Sequence, residues 1–259
     1  MQQLIIIISA FLFIHLEGYS QTMGIYTDEK GNKYAAIYST GLPENRVEDR
    51  SENSTFYTKI QLYEWTSNGQ NTNPVKDSDG NLVFVKRVSR HNNIINSGNN
   101  DMKVSKAFII SPNAIDSDGA STATATMDWA TANGYLATTN QNKCDVASFA
   151  VPKGCAMYRG KDGKDEPGTW RVPTFREGSL IMIFYRELEE TREQTDFKEF
   201  ALSTNGTTYW LATEYNGSYS YAWYMRLYPD ATKVKYTSST ASKGSSKYFL
   251  RCIRDIPSK

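Results

Sequence analysis

The sequence predicts an α+β protein in which two helices pack on antiparallel strands, with the first and last strands of that unit adjacent, preceded by a small β-rich region. Three observations predict it: a capped amphipathic helix begins after Pro173, β-rich runs bounded by turn residues lie before it, and further strand-like runs follow it to the end of the chain. The 259 residues suffice for two modest units with their own cores. The expected divisions are a signal peptide over 1–20, a β-rich region over 21–101 and the α+β domain over 102–259. The Ser97-Gly98-Asn99-Asn100-Asp101 string marks the second boundary.

The first segment differs in kind from the rest. Leu4 to Leu16 is an apolar run of 13 residues, the length of a signal-peptide core and well short of the ~20 residues that span a bilayer. Gly18 and Ser20 supply small residues at a cleavage site, leaving Gln21 as the expected mature N-terminus. No Lys or Arg precedes the run, so its positive end rests on the α-amino group. No Cys follows it, which argues against a lipid anchor. The expected location is therefore exported: cell surface, outer membrane-associated or secreted, with no membrane insertion after cleavage.

In the β-rich region, Lys33 to Tyr38 and Leu82 to Val88 read as strands. Asp28-Glu29-Lys30-Gly31-Asn32 and Asp77-Ser78-Asp79-Gly80-Asn81 read as turns, because Gly and Asn tolerate the left-handed backbone that tight turns require. The second has its glycine at position four and Val88 at position twelve, so it lacks the spacing of a helix-loop-helix calcium site. Gly41 to Thr55 and Ser67 to Pro74 read as polar loops.

Beyond the boundary, Val104 to Ile110 reads as a strand and Met127 to Leu136 as a short helix. At Thr174-Phe175-Arg176-Glu177 the hydroxyl of Thr174 and the carboxylate of Glu177 have the spacing of a reciprocal capping box. The helix it starts should run to about Glu190, with Leu180, Ile181, Phe184 and Leu188 forming one apolar stripe. Thr208 to Thr213, Tyr221 to Tyr228 and Lys247 to Arg254 then read as strands separated by polar loops.

Composition excludes several functions. With 29 basic and 28 acidic residues nothing draws the chain to nucleic acid. After signal cleavage His91 is the one histidine left, so a Ser-His-Asp relay or a multi-histidine metal site would have to pass through it, and it sits in the polar string Arg90-His91-Asn92. No catalytic residue, metal site or cofactor is expected. Three cysteines, Cys144, Cys155 and Cys252, allow one bridge and leave one thiol over.

Four strings in order carry a resemblance: Trp170-Arg171-Val172-Pro173-Thr174-Phe175-Arg176-Glu177, Tyr209-Trp210-Leu211-Ala212-Thr213-Glu214, Ala222-Trp223 and Arg251-Cys252-Ile253-Arg254-Asp255. Residues 102–259 resemble the C-type-lectin-like domains of bacterial surface proteins, among them the Lcl-type domain, the Fibrobacter-type major paralogous domain and the C-terminal domains of Bacteroidetes fimbrial tip proteins. The resemblance implies structural roles for Trp170, Arg171, Pro173, Thr174, Glu177, Trp210 and Trp223, with Arg171 ordering a loop through hydrogen bonds. It also implies a disulfide between Cys252 and a cysteine shortly before the Trp-Arg motif. Cys155 matches best, through Cys155-Ala156-Met157-Tyr158 and Gly168-Thr169-Trp170, and Cys144 is the alternative. The Glu-Pro-Asn type of calcium-dependent sugar triplet is absent.

Eight tyrosines lie between Tyr209 and Tyr248, interleaved with Asn, Gly, Ser and Thr. Rigid amphipathic rings among small polar residues make adaptable contact surfaces, although tyrosine is also an ordinary strand residue. Tyr215, Asn216, Tyr219, Tyr221 and Tyr224 are the expected ligand-binding residues. The expected function is a non-enzymatic, adhesin-like or fimbria-associated protein that binds a protein or glycan on a cell surface, with other fimbrial subunits as further partners. A structural subunit of a surface fibre is the second reading. The third is an enzyme related to the formylglycine-generating type, which would depend on Cys144.

Overall fold

The strands nearest the centre of the molecule read as almost unbroken apolar runs, and the structure buries them on both faces. In the computed structural model, residues 22–42, 57–66, 69–88, 104–134, 153–191, 194–195, 206–215, 220–228 and 235–257 are described. Four strands, β1 (Met23–Thr27), β2 (Lys33–Tyr38), β7 (Ala107–Ile110) and β13 (Ile253–Asp255), form one antiparallel sheet in the order β1-β2-β7-β13. A second antiparallel sheet holds β10 (Thr207–Glu214), β11 (Tyr221–Tyr228) and β12 (Lys235–Ser242) in sequence order. Among the described residues the other strands form two-stranded pairs: β3 (Tyr57–Gln61) with β6 (Phe84–Val88), β4 (Tyr63–Thr66) with β5 (Gly69–Pro74), and β8 (Ala114–Ile115) with β9 (Ser121–Thr122). The α-helices among the described residues are short: α1 (Trp129–Ala132), α2 (Phe175–Ile183) and α3 (Tyr185–Glu190).

Successive strand residues point to opposite faces, and here each face meets a core. Tyr34, Ile109, Trp210, Ala212 and Cys252 enter one cluster with Trp129 and Trp170; Ala35, Ile37, Phe108, Ile110, Tyr209 and Leu211 enter a second with Leu180, Ile181 and Leu188 of the helices. The three indoles of the first cluster are at most 1% exposed, and each N–H has an acceptor: Leu211 O for Trp129, Asp165 Oδ2 for Trp170 and Met127 O for Trp210, each at 2.8 Å. Satisfying those donors lets the large rings be buried without the desolvation cost of an orphan polar group.

The α+β reading holds, with antiparallel sheets and few helices. Strand β7, the first after residue 101, pairs directly with β13, as expected of the first and last strands of the 102–259 region. The four-stranded sheet also takes β1 and β2 from the region before residue 101, through the pairing of β2 with β7. A small satellite core adds to that continuity: Leu62 and Val83 of the early region pack with Ala156.

Several expectations need correction. The helix from Thr174 is interrupted at Phe184, whose backbone (φ −93°, ψ 17°) departs from helical values and separates α2 from α3. The apolar stripe continues across that step, with Leu180, Ile181, Tyr185 and Leu188 all buried. The strand expected over Lys247 to Arg254 is regular only at 253–255; Tyr248 and Phe249 instead make single bridges to Met127 and Tyr209. The expected loops at Ser67 to Pro74 and between Tyr228 and Tyr248 contain strands β5 and β12. Both are edge strands within their sheets, where polar sequence is tolerated because only one side needs a paired neighbour. Residues 1–20, expected as a signal peptide, together with His91 and Cys144, lie outside the described residues.

Candidate functional site

The hairpin of β10 and β11 sets the site. Its register runs from Thr207 opposite Leu227 to Trp210 opposite Tyr224, shifts, and resumes at Glu214 opposite Ala222. The Tyr215 N–H then donates to Tyr221 O at 3.0 Å, which places these two tyrosines across from each other. Directly opposed residues of an antiparallel pair share a face, and so does the residue two along. Tyr215, Tyr221 and Trp223 therefore lie on one face.

On that face the rings pack in sequence. Phe175, the first residue of α2, lies 4.6 Å from the Trp223 ring centre, and Tyr215 meets the same indole edge-on at 6.0 Å. The Phe175 N–H donates to Thr213 Oγ1 at 2.9 Å, tying the helix start to β10. Tyr221 is 41% exposed, whereas Tyr215, Trp223 and Phe175 are half-buried. The result is an aromatic ledge of tilted and edge-on rings, with the exposed Tyr221 on the same face.

Buried charge fixes the ledge from beneath. Glu214, next to Tyr215, is ion-paired with Lys243, and both side chains are shut off from solvent. The Lys243 ammonium also lies 4.5 Å from the Trp129 ring centre, and its backbone N–H donates to Ser220 O at 2.9 Å, next to Tyr221. Lys243, just past the end of β12, thus ties down Glu214 through its side chain and Ser220 through its backbone.

A second buried network orients α2. Glu177 is fully buried and accepts from Arg171 Nη1 and Nη2 at 2.7 Å each, from the Thr174 N–H at 2.8 Å and from the Ser105 N–H at 3.0 Å. Thr174 Oγ1 accepts from the Glu177 N–H, so the capping box forms as the spacing predicts. Arg171 reaches on to Asp255 Oδ1 at 2.6 Å, and its backbone exchanges two hydrogen bonds with Ile253. Four charge-assisted hydrogen bonds to one carboxylate and a two-carboxylate partner for the guanidinium make this a satisfied buried ion pair. The Cys155–Cys252 disulfide forms, joining the residue before Ile253 to the segment that precedes Trp170.

The structure brings together only part of the expected ligand-binding set. Tyr215 and Tyr221 share the ledge. Tyr224 lies on the opposite face of β11, packed edge-on against Tyr248 at 5.1 Å and against the first core. Asn216 and Tyr219 lie outside the described residues. Of the expected structural residues, Trp170, Arg171, Thr174, Glu177 and Trp210 are buried, and Pro173 passes its carbonyl to the Ala212 N–H at 2.8 Å.

Sequence reasoning missed three contributors. Phe175 stood inside the capping box, where attention falls on its neighbours. Lys243 sits in the polar string Ala241-Ser242-Lys243-Gly244, with no local sign that it is buried. Asp165, 5% exposed, accepts from Trp170, from Lys30 at 2.9 Å and from Arg254 at 2.9 Å, yet reads as one more turn carboxylate.

Comparison with family models, with curated proteins and with solved structures returned no match. Among the described residues no helix is long and apolar enough to cross a membrane.

Proposed function

We propose that this chain is an exported, non-catalytic ligand-binding protein of a bacterial surface, with a C-type-lectin-like domain over residues 102–259 that presents the Tyr215–Tyr221 turn to a protein or glycan. The observation that carries the reading is the ledge of Phe175, Trp223 and Tyr215 with the exposed Tyr221 on the same face. Aromatic rings held in place contribute contact area at little entropic cost on binding, because their two side-chain torsions are already fixed.

The non-catalytic reading is supported by how the interior acids and bases are used. Glu177 is committed to Arg171, Glu214 to Lys243 and Asp165 to Lys30 and Arg254. Each of these carboxylates is engaged by a cationic protein partner, which favours a structural role over a catalytic one. Export is supported by the apolar leader, and the disulfide is consistent with an oxidising compartment.

The test is a binding screen of residues 22–259 against glycan and host-protein arrays, repeated with Tyr215→Ala and Tyr221→Ala. A ligand bound by the native chain and lost in both variants supports the proposal. Deletion from a native envelope that removes a fibre but no binding would favour the structural-subunit reading instead.

A further inference from the structure

We propose that the cavity beside the Asp28–Asn32 turn is a docking site for an arginine side chain of a protein partner, separate from the aromatic ledge. Its volume of about 520 Å³ holds a long side chain with some of the peptide on either side of it. That size lies inside the range of about 300–1,000 Å³ typical of binding pockets.

Charge selects a cation. The lining carries four carboxylates, Asp28, Glu29, Asp165 and Asp255, against two cations, Lys30 and Arg254. Both cations are drawn onto Asp165 at 2.9 Å, and Arg254 also reaches Asp28 at 3.6 Å. Asp255 shares Arg171 with Glu177, so with these partners included five carboxylates still face three cations. Among the described residues Glu29 makes no ion pair. A recess whose walls carry unmatched negative charge concentrates cations and repels anions.

The apolar part of the lining selects a guanidinium over an ammonium. Tyr26, Phe84 and Pro257 form that part. A guanidinium packs flat on an aromatic ring, is more weakly hydrated than an ammonium, and presents two parallel N–H groups to one carboxylate. Phe84, 46% exposed, offers the ring, and Glu29 offers the carboxylate. Leu82, 45% exposed, extends the apolar surface: Val83 is buried in the satellite core with Leu62, so along this extended run Leu82 and Phe84 take the opposite side. The partner that fits is therefore a segment with arginine next to an apolar residue.

Glu29 is held in place by its own turn. Asp28 Oδ1 accepts from the Lys30 N–H at 3.0 Å and from the Asn32 N–H at 2.8 Å, and the Lys30 ammonium anchors the turn to Asp165. A carboxylate on an ordered turn loses less freedom when it meets its partner.

The experiment is an NMR titration of residues 22–259 with a blocked tetrapeptide holding arginine followed by leucine, beside the same peptide with lysine or with citrulline, the neutral isostere, in place of arginine. The arginine peptide should bind about fivefold or more tightly than the citrulline peptide, with lysine between them, and should shift the amide signals of Glu29 and Thr169. Glu29→Gln should weaken arginine-peptide binding about fivefold at an unchanged melting temperature, because that side chain is exposed. Tyr221→Ala should leave this binding unchanged, which separates it from the ledge. No binding, equal affinity for the citrulline peptide, preference for lysine, or binding indifferent to Glu29→Gln would each overturn the proposal.

Discussion

Lys243 and Glu214 form an ion pair with no access to water, and through it the polar end of β12 holds the base of the turn that Tyr215 and Tyr221 frame. A buried pair is a weak source of net stability but a strong constraint, since removing one partner strands the other charge. Lys243→Met should therefore destabilise by about 3–5 kcal/mol in urea denaturation, while the Lys243→Met, Glu214→Gln double variant should recover most of that loss. Additive losses in the double variant would show that the two side chains are not coupled.

Disulfide mapping by mass spectrometry should find Cys155 joined to Cys252 and Cys144 open to alkylation. The bridge closes a separation of 97 residues. In the chain-entropy view, Cys155→Ala with Cys252→Ala should cost about 4–5 kcal/mol, whereas Cys144→Ser should leave the melting temperature unchanged. A peptide linking Cys144 to Cys252 would contradict the structure.

Gly80 and Gly119 make a matched pair. Both end Asp-Ser-Asp-Gly turns and have φ of 85° and 84°. A Cβ on Gly80 would meet nothing within 4 Å, but one on Gly119 would lie 2.5 Å from the backbone carbon of Met157. Gly80→Ala should therefore cost about 1–2 kcal/mol for left-handed backbone alone. Gly119→Ala should cost about 1–3 kcal/mol more, because backbone cannot step aside as a side chain can. Equal losses in thermal melts would mean the close approach is not real.

Alkaline pH should unfold this protein in a way that depends on buried phenols. Burial pushes Tyr34 up to about 12 and raises Tyr158 above its ordinary value of 10.0. Because the folded phenols hold their protons to higher pH than the unfolded ones, their contribution is complete below pH ~10 and is lost as pH rises beyond it. Tyr158 also buries its hydroxyl with no hydrogen-bond partner among the described residues. Tyr158→Phe should thus gain about 1 kcal/mol at pH 7 and flatten the decline above pH 10, measured as melting temperature against pH.

The parts of the fold that were legible in the sequence are those written in local spacing. Thr174 and Glu177 form their capping box, and the run from Tyr221 to Tyr228 is a strand over those same residues. What was not legible depends on partners distant in sequence. The Ser- and Thr-rich β12 becomes a strand because β11 offers it an edge along eight residue pairs. Helix α2 stops at Phe184 without a proline or glycine to announce it. At the ledge, Tyr215 and Tyr221 follow from the tyrosine-rich turn. Tyr224 was grouped with them by proximity in sequence, but strand alternation sends it to the other face.

The claim that the Tyr215–Tyr221 turn is a rigid binding display is tested most directly by affinity measured alongside stability. With the ligand found on the arrays, calorimetric titration should show Tyr221→Ala weakening binding by about tenfold or more at an unchanged melting temperature, as expected for an exposed aromatic contact. Tyr224→Phe, on the opposite face, should bind as the native chain does. Equal affinity for the native chain and Tyr221→Ala would contradict the account.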